Sequence, residues 1–266
     1  MKTFAVIALA VILAAASASA QTTTNAPASS ATNGPTISVT VTPSFVSEYM
    51  FRGVRLGGPS FQPSMEFDWG NLAVGLWASL PIADGVPGQS DPELDPYLSY
   101  TFNVNDQFSI VPGFTAYTYP NADTANGFFQ ETYEPSLAVN YTIAGVKLTP
   151  KFYYDLTMQG PTFEFNAAYT VPLEKLHTEL EFSGSVGTYY WDDSVKGASP
   201  EVKNSGSYYQ FGVALPFTIT DHLNLTTGVA YTQGFDNKFK VSGEPDTNND
   251  AAVGRVVATV SLNYTF

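Results

Sequence analysis

The last eleven residues of the chain alternate in character. Val256, Ala258, Val260, Leu262, Tyr264 and Phe266 are apolar, whereas Thr259, Ser261, Asn263 and Thr265 between them are polar and only Val257 departs from the rule. A period of two puts successive side chains on opposite faces of a strand, so this segment offers one face to an apolar medium and the other to a polar one.

The same period recurs upstream. From Thr36 onward it marks twelve segments, at about 36–51, 60–69, 72–80, 93–102, 107–119, 128–142, 146–157, 161–171, 178–191, 207–219, 223–235 and 253–266. Counted from the N-terminal side, the odd connections are Arg52–Pro59, Pro81–Pro92, Pro120–Gly127, Met158–Gly160, Asp192–Gly206 and Asp236–Ala252. The even ones are Gly70-Asn71, Asn103–Asp106, Ile143–Gly145, Pro172–His177 and Thr220–His222. Apart from Met158–Gly160, long and short connections alternate. A membrane barrel with both termini on one side has short turns there, longer loops opposite and an even strand number. A secreted β-sandwich would show neither this rule nor apolar outer faces. The expected fold is therefore all-β: a transmembrane, antiparallel, up-and-down barrel of twelve strands over residues 36–266.

Composition narrows the class further. With 11 Lys+Arg against 24 Asp+Glu, a formal net charge of −13, the chain lacks the basic footprint that nucleic acid requires. Charged residues are 13% and aromatics 14% of the chain, against about 25% charged in an ordinary soluble domain. Beyond residue 20 no run of apolar residues is long enough for a membrane helix, so a closed barrel is the remaining way to cross a bilayer. The absence of cysteine excludes disulfides and a lipidated N-terminal cysteine.

At the N-terminus, Met1-Lys2 precedes the apolar, Ala-rich Phe4–Ala15, and Ala18-Ser19-Ala20 fits the small-x-small cleavage rule. Residues 1–20 read as a secretory signal peptide. Residues 21–35 are low in complexity and nearly free of large apolar side chains, the composition of a flexible periplasmic tail.

Two resemblances refine the location. The terminal aromatics Tyr264 and Phe266 resemble the signal that bacterial outer-membrane barrels present to their insertion machinery. That resemblance implies the bacterial outer membrane, with N- and C-termini periplasmic, and as partners outer-membrane lipid and the insertion machinery. Further back, Tyr49-Met50-Phe51-Arg52-Gly53-Val54 resembles the Tyr-x-Phe-Arg-Gly-Val signature of a family of conserved hypothetical outer-membrane barrels. Gly75-Leu76-Trp77-Ala78-Ser79 and Glu93-Leu94-Asp95-Pro96-Tyr97 with Tyr100 sit where that family has a Gly-x-Trp-Ala-Ser strand and then an acidic, aromatic one. The match covers about the first third of the chain and brings no substrate or mechanism.

Strand faces follow from the alternation. Phe61, Met65, Phe67 and Trp69, then Phe152, Tyr154 and Leu156, then Phe163, Phe165 and Tyr169 are expected to meet lipid. Prolines 43, 63, 112, 135, 150 and 216 fall inside strands and remove ladder donors, so bulges or ladder gaps are expected there. Tyr49, Phe51, Tyr117, Tyr119, Phe128, Phe129, Tyr190, Trp191, Tyr208 and Tyr209 read as the outer aromatic girdle, and Trp69, Phe102, Tyr141, Tyr264 and Phe266 as the inner one.

The inward register carries most of the charge. Glu48, Arg52, Glu66, Asp68, Asp95, Glu134, Lys147, Lys151, Asp155, Glu164, Glu179, Glu181 and Arg255 are the candidate pore-lining residues. Four bases cannot neutralise nine acids, and an unpaired buried ion is costly, so part of the lumen is expected to be wet. Arg52 is expected to pair with Glu66 or Asp95, as an internal latch.

No catalytic set emerges. His177 and His222 fall at or beside the short turns, with no serine at matching height to form a triad. No metal or cofactor motif is present, since Asp246–Asp250 lacks calcium-loop spacing. The function read from sequence is a narrow passive channel, cation-preferring because its lumen is acidic and passing small cationic solutes. The alternative is a non-conducting structural or adhesive barrel with ligand-binding loops.

Overall fold

The computed structural model describes residues 35–83 and 92–266; the expected signal peptide 1–20, nearly all of the expected tail 21–35 and residues 84–91 lie outside it. Twelve antiparallel strands form one closed sheet. They are β1 (Ile37–Thr42 continuing as Ser44–Val46), β2 (Ser60–Phe61 and Ser64–Trp69), β3 (Leu72–Pro81), β4 (Glu93–Tyr100 and Phe102–Asn105), β5 (Phe108–Thr118) and β6 (Glu131–Ile143). Then follow β7 (Val146–Asp155), β8 (Gly160–Leu173), β9 (Thr178–Trp191), β10 (Val202–Thr220), β11 (Leu223–Val241) and β12 (Arg255–Thr265). Each strand pairs with its sequence neighbours, and β12 closes on β1 through Thr40↔Thr265, Val41↔Tyr264 and Phe45↔Val260. Closure leaves no unpaired edge, which the apolar interior of a bilayer demands.

The expected faces hold. Met65, Phe67, Trp69, Phe152, Phe163, Phe165, Val260 and Leu262 are exposed on the outer surface, while Val257, Thr259 and Ser261 are buried inside. At the end holding both termini, β2–β3, β4–β5, β6–β7 and β10–β11 are joined by two-residue turns at Gly70-Asn71, Asp106-Gln107, Ala144-Gly145 and Asp221-His222. Ala144 and Gly145 both have positive φ, 51° and 79°, the backbone of a turn that matches strand twist. The other end carries the longer loops.

Several boundaries differ from the sequence reading. β10 begins at Val202 and β11 runs on to Val241, so the hairpin between them stands well above the barrel wall, and Thr247–Asn248 folds back to pair with Lys238 and Phe239. In Val202–Ser207 the inward Asn204 and Gly206 are buried, Gly206 directly against Tyr189 and Asn237, and the alternate Lys203, Ser205 and Ser207 are polar too, so the apolar period that marks a strand in lipid is missing. β4 continues to Asn105, past the expected turn at Asn103.

The first expected strand, 36–51, leaves the wall at Val46, and Tyr49–Phe51 with Val54–Gly57 forms a separate two-stranded hairpin. Alternation persists through it because the hairpin is itself β-structure. Pro43 and Pro63 split their strands, and the β6–β7 ladder lapses between Ala138 and Tyr141, across from Pro150. Pro135 and Pro216 are accommodated inside the regular registers Phe114↔Pro135 and Pro216↔Thr226.

Candidate functional site

The hairpin between β1 and β2 does not project outward. Its tip is a two-residue turn, Arg52 at φ 48° and Gly53 at φ 76°, and it is folded into the lumen. Tyr49, Met50 and Arg52 are buried. A Cβ on Gly53 would lie 2.6 Å from Cα of Gly234 in β11 and 2.7 Å from Cβ of Tyr208 in β10. Backbone therefore packs on backbone there, which only glycine allows.

Arg52 is 8% exposed and its guanidinium makes a two-pronged pair with Glu134 of β6, which is 1% exposed; both N–O distances are 2.8 Å. Tyr117 donates to the same carboxylate at 2.9 Å, and the guanidinium lies over the rings of Phe51 and Tyr153 at 4.6 and 4.8 Å. A two-pronged pair of this kind offsets much of the cost of burying the two groups away from water. The partner is not Glu66 or Asp95, as the sequence suggested. Those acids stand on β2 and β4, and the inward fold of the hairpin carries Arg52 past them to β6. At the hairpin base Arg55 Nε holds Glu48 at 2.6 Å.

Around this latch, tyrosines face inward and act as hydrogen-bond donors. Tyr49 and Tyr119 donate to the two oxygens of Glu93 at 2.7 and 3.0 Å. Tyr208 of β10 reaches across Gly187 of β9 to Glu164 of β8 at 2.7 Å, and Tyr97 of β4 reaches across Gly75 of β3 to Glu66 of β2 at 2.8 Å. In both rows the three residues stand directly opposite one another in register. A Cβ on either glycine would sit 2.3 Å from the tyrosine ring, so the missing side chain is what lets the phenol lie flat along the wall.

Six residues expected in the outer girdle turn inward instead: Phe51 lies under the Arg52 guanidinium, Tyr119 donates to Glu93, and Tyr49, Tyr117, Trp191 and Tyr208 line the lumen. The last four of these are buried and Phe51 and Tyr119 half-buried, whereas Tyr190 is exposed on the outer surface. Aromatic content near a strand end does not reveal which parity faces lipid. The inner girdle, Trp69, Phe102, Tyr141, Tyr264 and Phe266, is exposed as expected.

The remaining charged candidates fall into two groups. Asp95 is fully buried and accepts from the Thr118 amide at 3.3 Å. Asp155 is 1% exposed and accepts from the amides of Thr157 and Met158 at 2.8 and 2.7 Å, so it fixes the β7–β8 turn. Lys151 is half-buried near Glu164 on the neighbouring strand, at the register Lys151↔Glu164. Arg255, half-buried, donates to the Gly254 carbonyl at 3.0 Å. Glu66, Asp68, Lys147, Glu179 and Glu181 lie towards the turn end; Glu179 is exposed, the others are half-buried, and no salt bridge among the described residues involves any of them. Glu93 was missed, although it shares the inward parity of Asp95 two residues on.

The fold is that of a twelve-stranded outer-membrane barrel. The chain belongs to the Gcw_chp family, described as bacterial protein of unknown function, which matches residues 28–242. Among solved structures it is similar to the NanC porin, with 10% identity, a TM-score of 0.51, and coverage of 85% of this chain and 98% of that one. The KdgM porin follows at 13% identity and a TM-score of 0.49, over 86% and 99% of the two chains. LpxR from Salmonella typhimurium has 8% identity and a TM-score of 0.49, over 85% and 100%. At such identities the likeness is one of fold. No curated protein matches the sequence.

Proposed function

We propose that this protein is a narrow, non-enzymatic channel of the bacterial outer membrane, constricted near its outer mouth by the inward-folded hairpin and cation-preferring below it. The supporting observation is the set of ionisable side chains towards the turn end. Glu66, Asp68, Glu179 and Glu181 against the single Lys147 are at most half-buried and make no salt bridge among the described residues, and ions in that state require water around them. A hydrated acidic vestibule concentrates cations and repels anions. The termini and tight turns are assigned to the periplasm, after export by the signal peptide 1–20 and insertion signalled by Tyr264 and Phe266.

One observation favours a second reading. The layer around Arg52 is buried on all sides, as in a barrel that serves as a non-conducting scaffold for its loops. Planar-bilayer recordings of the refolded protein separate the two. Discrete conductance with a reversal potential towards the cation equilibrium in a salt gradient supports the channel. Silence in wild type and in a chain lacking the Arg52–Glu134 pair supports the scaffold.

A further inference from the structure

A half-turn about the barrel axis carries each strand onto the one six places further round, and it preserves the register at all six seams. Phe45↔Phe61 in β1–β2 maps onto Phe152↔Phe163 in β7–β8, Ser64↔Trp77 onto Asn166↔Ser185, and Gly75↔Tyr97 onto Ser183↔Gly212. Phe102↔Ile110 maps onto Phe217↔Leu225, Phe108↔Tyr141 onto Leu223↔Tyr264, and Leu137↔Phe152 onto Val260↔Phe45 across the closing seam. The setting is unique. In an antiparallel barrel, sliding one strand forces the next to slide the opposite way, and the closing seam then fails to match.

At that setting, fixed by backbone pairing alone, the residues themselves recur. Thr42-Pro43-x-Phe45 falls on Thr149-Pro150-x-Phe152, and Gly58-Pro59-Ser60-Phe61 on Gly160-Pro161-Thr162-Phe163. Phe102-x-Val104-x-Asp106 falls on Phe217-x-Ile219-x-Asp221, Gly113 on Gly228, and Asn140-Tyr141-Thr142 on Asn263-Tyr264-Thr265. Side-chain identity and ladder register are independent observations, and they agree in β1, β2, β4, β5 and β6. The Glu–Gly–Tyr rows occupy corresponding strands but stand at different heights, a divergence within the lining.

One element breaks the symmetry. Between the equivalent acids Glu48 and Asp155 and the equivalent Gly-Pro pairs, the second half has the four residues Leu156–Gln159, and the first half has the nine residues of the hairpin, Tyr49–Gly57. We propose that the barrel is a tandem duplication of a six-stranded unit, and that the hairpin is a plug which only the first unit carries. The duplication stands on the residues that recur at the one setting the registers allow; the plug rests on the channel reading.

Two chains test this. In the first, Tyr49–Gly57 is replaced by Leu-Thr-Met-Gln, with Glu48→Asp to restore the turn-fixing carboxylate and Glu134→Gln so that no unpaired acid remains. In the second, a circular permutant starts at Val146 and ends at Ile143, and Phe266 is joined to Val39 by Ala-Gly, copying the Ala144-Gly145 turn between the equivalent Ile143 and Val146. The expected result is that both refold in detergent to the heat-modifiable wild-type form and that the graft conducts several-fold more than wild type. Failure of both to refold overturns the duplication. A folded permutant with an unfoldable graft makes the hairpin part of the barrel's own closure and overturns its being an addition. A folded graft that conducts no more than wild type overturns the plug, and if wild type does conduct, the channel reading survives that result.

Discussion

Gly53 at the tip of the inward hairpin and Gly234 in β11 meet with no side chain between them. A Cβ on Gly53 would stand 2.6 Å from the Gly234 Cα, and a Cβ on Gly234 would stand 2.4 Å from the Gly53 carbonyl oxygen. The contact sets how deep the hairpin sits, and with it the reach of Arg52 to Glu134.

Gly53→Ala combines this clash with a left-handed φ of 76°, which alone costs an alanine about 1 kcal/mol or more. The hairpin should lift while the barrel wall stays intact. The expected outcome is unchanged heat-modifiable migration with faster protease cleavage within Tyr49–Gly57. Loss of the folded band would instead make the hairpin essential to the wall.

The Arg52–Glu134 pair should behave asymmetrically. Arg52→Ala strands a buried carboxylate and is expected to cost about 3–5 kcal/mol. Adding Glu134→Gln should recover a large part of that, since the amide can still accept from Tyr117 without carrying charge. Urea unfolding of both variants in detergent micelles or lipid measures the difference. Equal destabilisation in the single and double variants would show that the cost comes from packing on Phe51 and Tyr153.

The wall was legible in the sequence and the contents of the lumen were not. Alternation between lipid and interior is imposed on every membrane-spanning strand, so β2, β3, β8 and β9 emerge within a few residues of their bounds. The same signal cannot tell a strand in the wall from a hairpin folded inside it, because both alternate; that is how Tyr49–Phe51 was read as a continuation of β1. Nor does it choose partners. Arg52 and Glu134 are 82 residues apart in sequence, and no local pattern links them. Tyr208 and Tyr209 show the remaining weakness, since adjacent tyrosines at one height face opposite media and only the register against Gly187 decides which goes inside.

The outer face gives a depth-dependent prediction. Val260 is exposed on the outer surface of β12, and Ser185 lies on the inner face of β9. Val260→Arg should cost about 2–4 kcal/mol if it lies near the bilayer midplane, whereas Ser185→Arg places its charge in the lumen and should cost much less. Refolding titrations into lipid vesicles compare them. Equal penalties would mean that the two residues meet the same medium.

On the channel reading, selectivity should respond to the acids nearest the end that holds the tight turns. Glu179 and Glu181 face inward from β9, two residues apart and so about 7 Å along the strand, and no salt bridge among the described residues neutralises either. If water fills the lumen there, two like charges at that spacing draw in a cation, and at low salt the attraction is weakly screened. The double change Glu179→Gln and Glu181→Gln keeps the side-chain volume and removes the field. In a tenfold potassium chloride gradient the reversal potential should move towards zero, with single-channel conductance falling most at low ionic strength and the folded, heat-modifiable form unaffected. A reversal potential identical to that of wild type would place the selective step at the Arg52 layer, and neutralising Glu66 and Asp68 would then leave it unchanged as well.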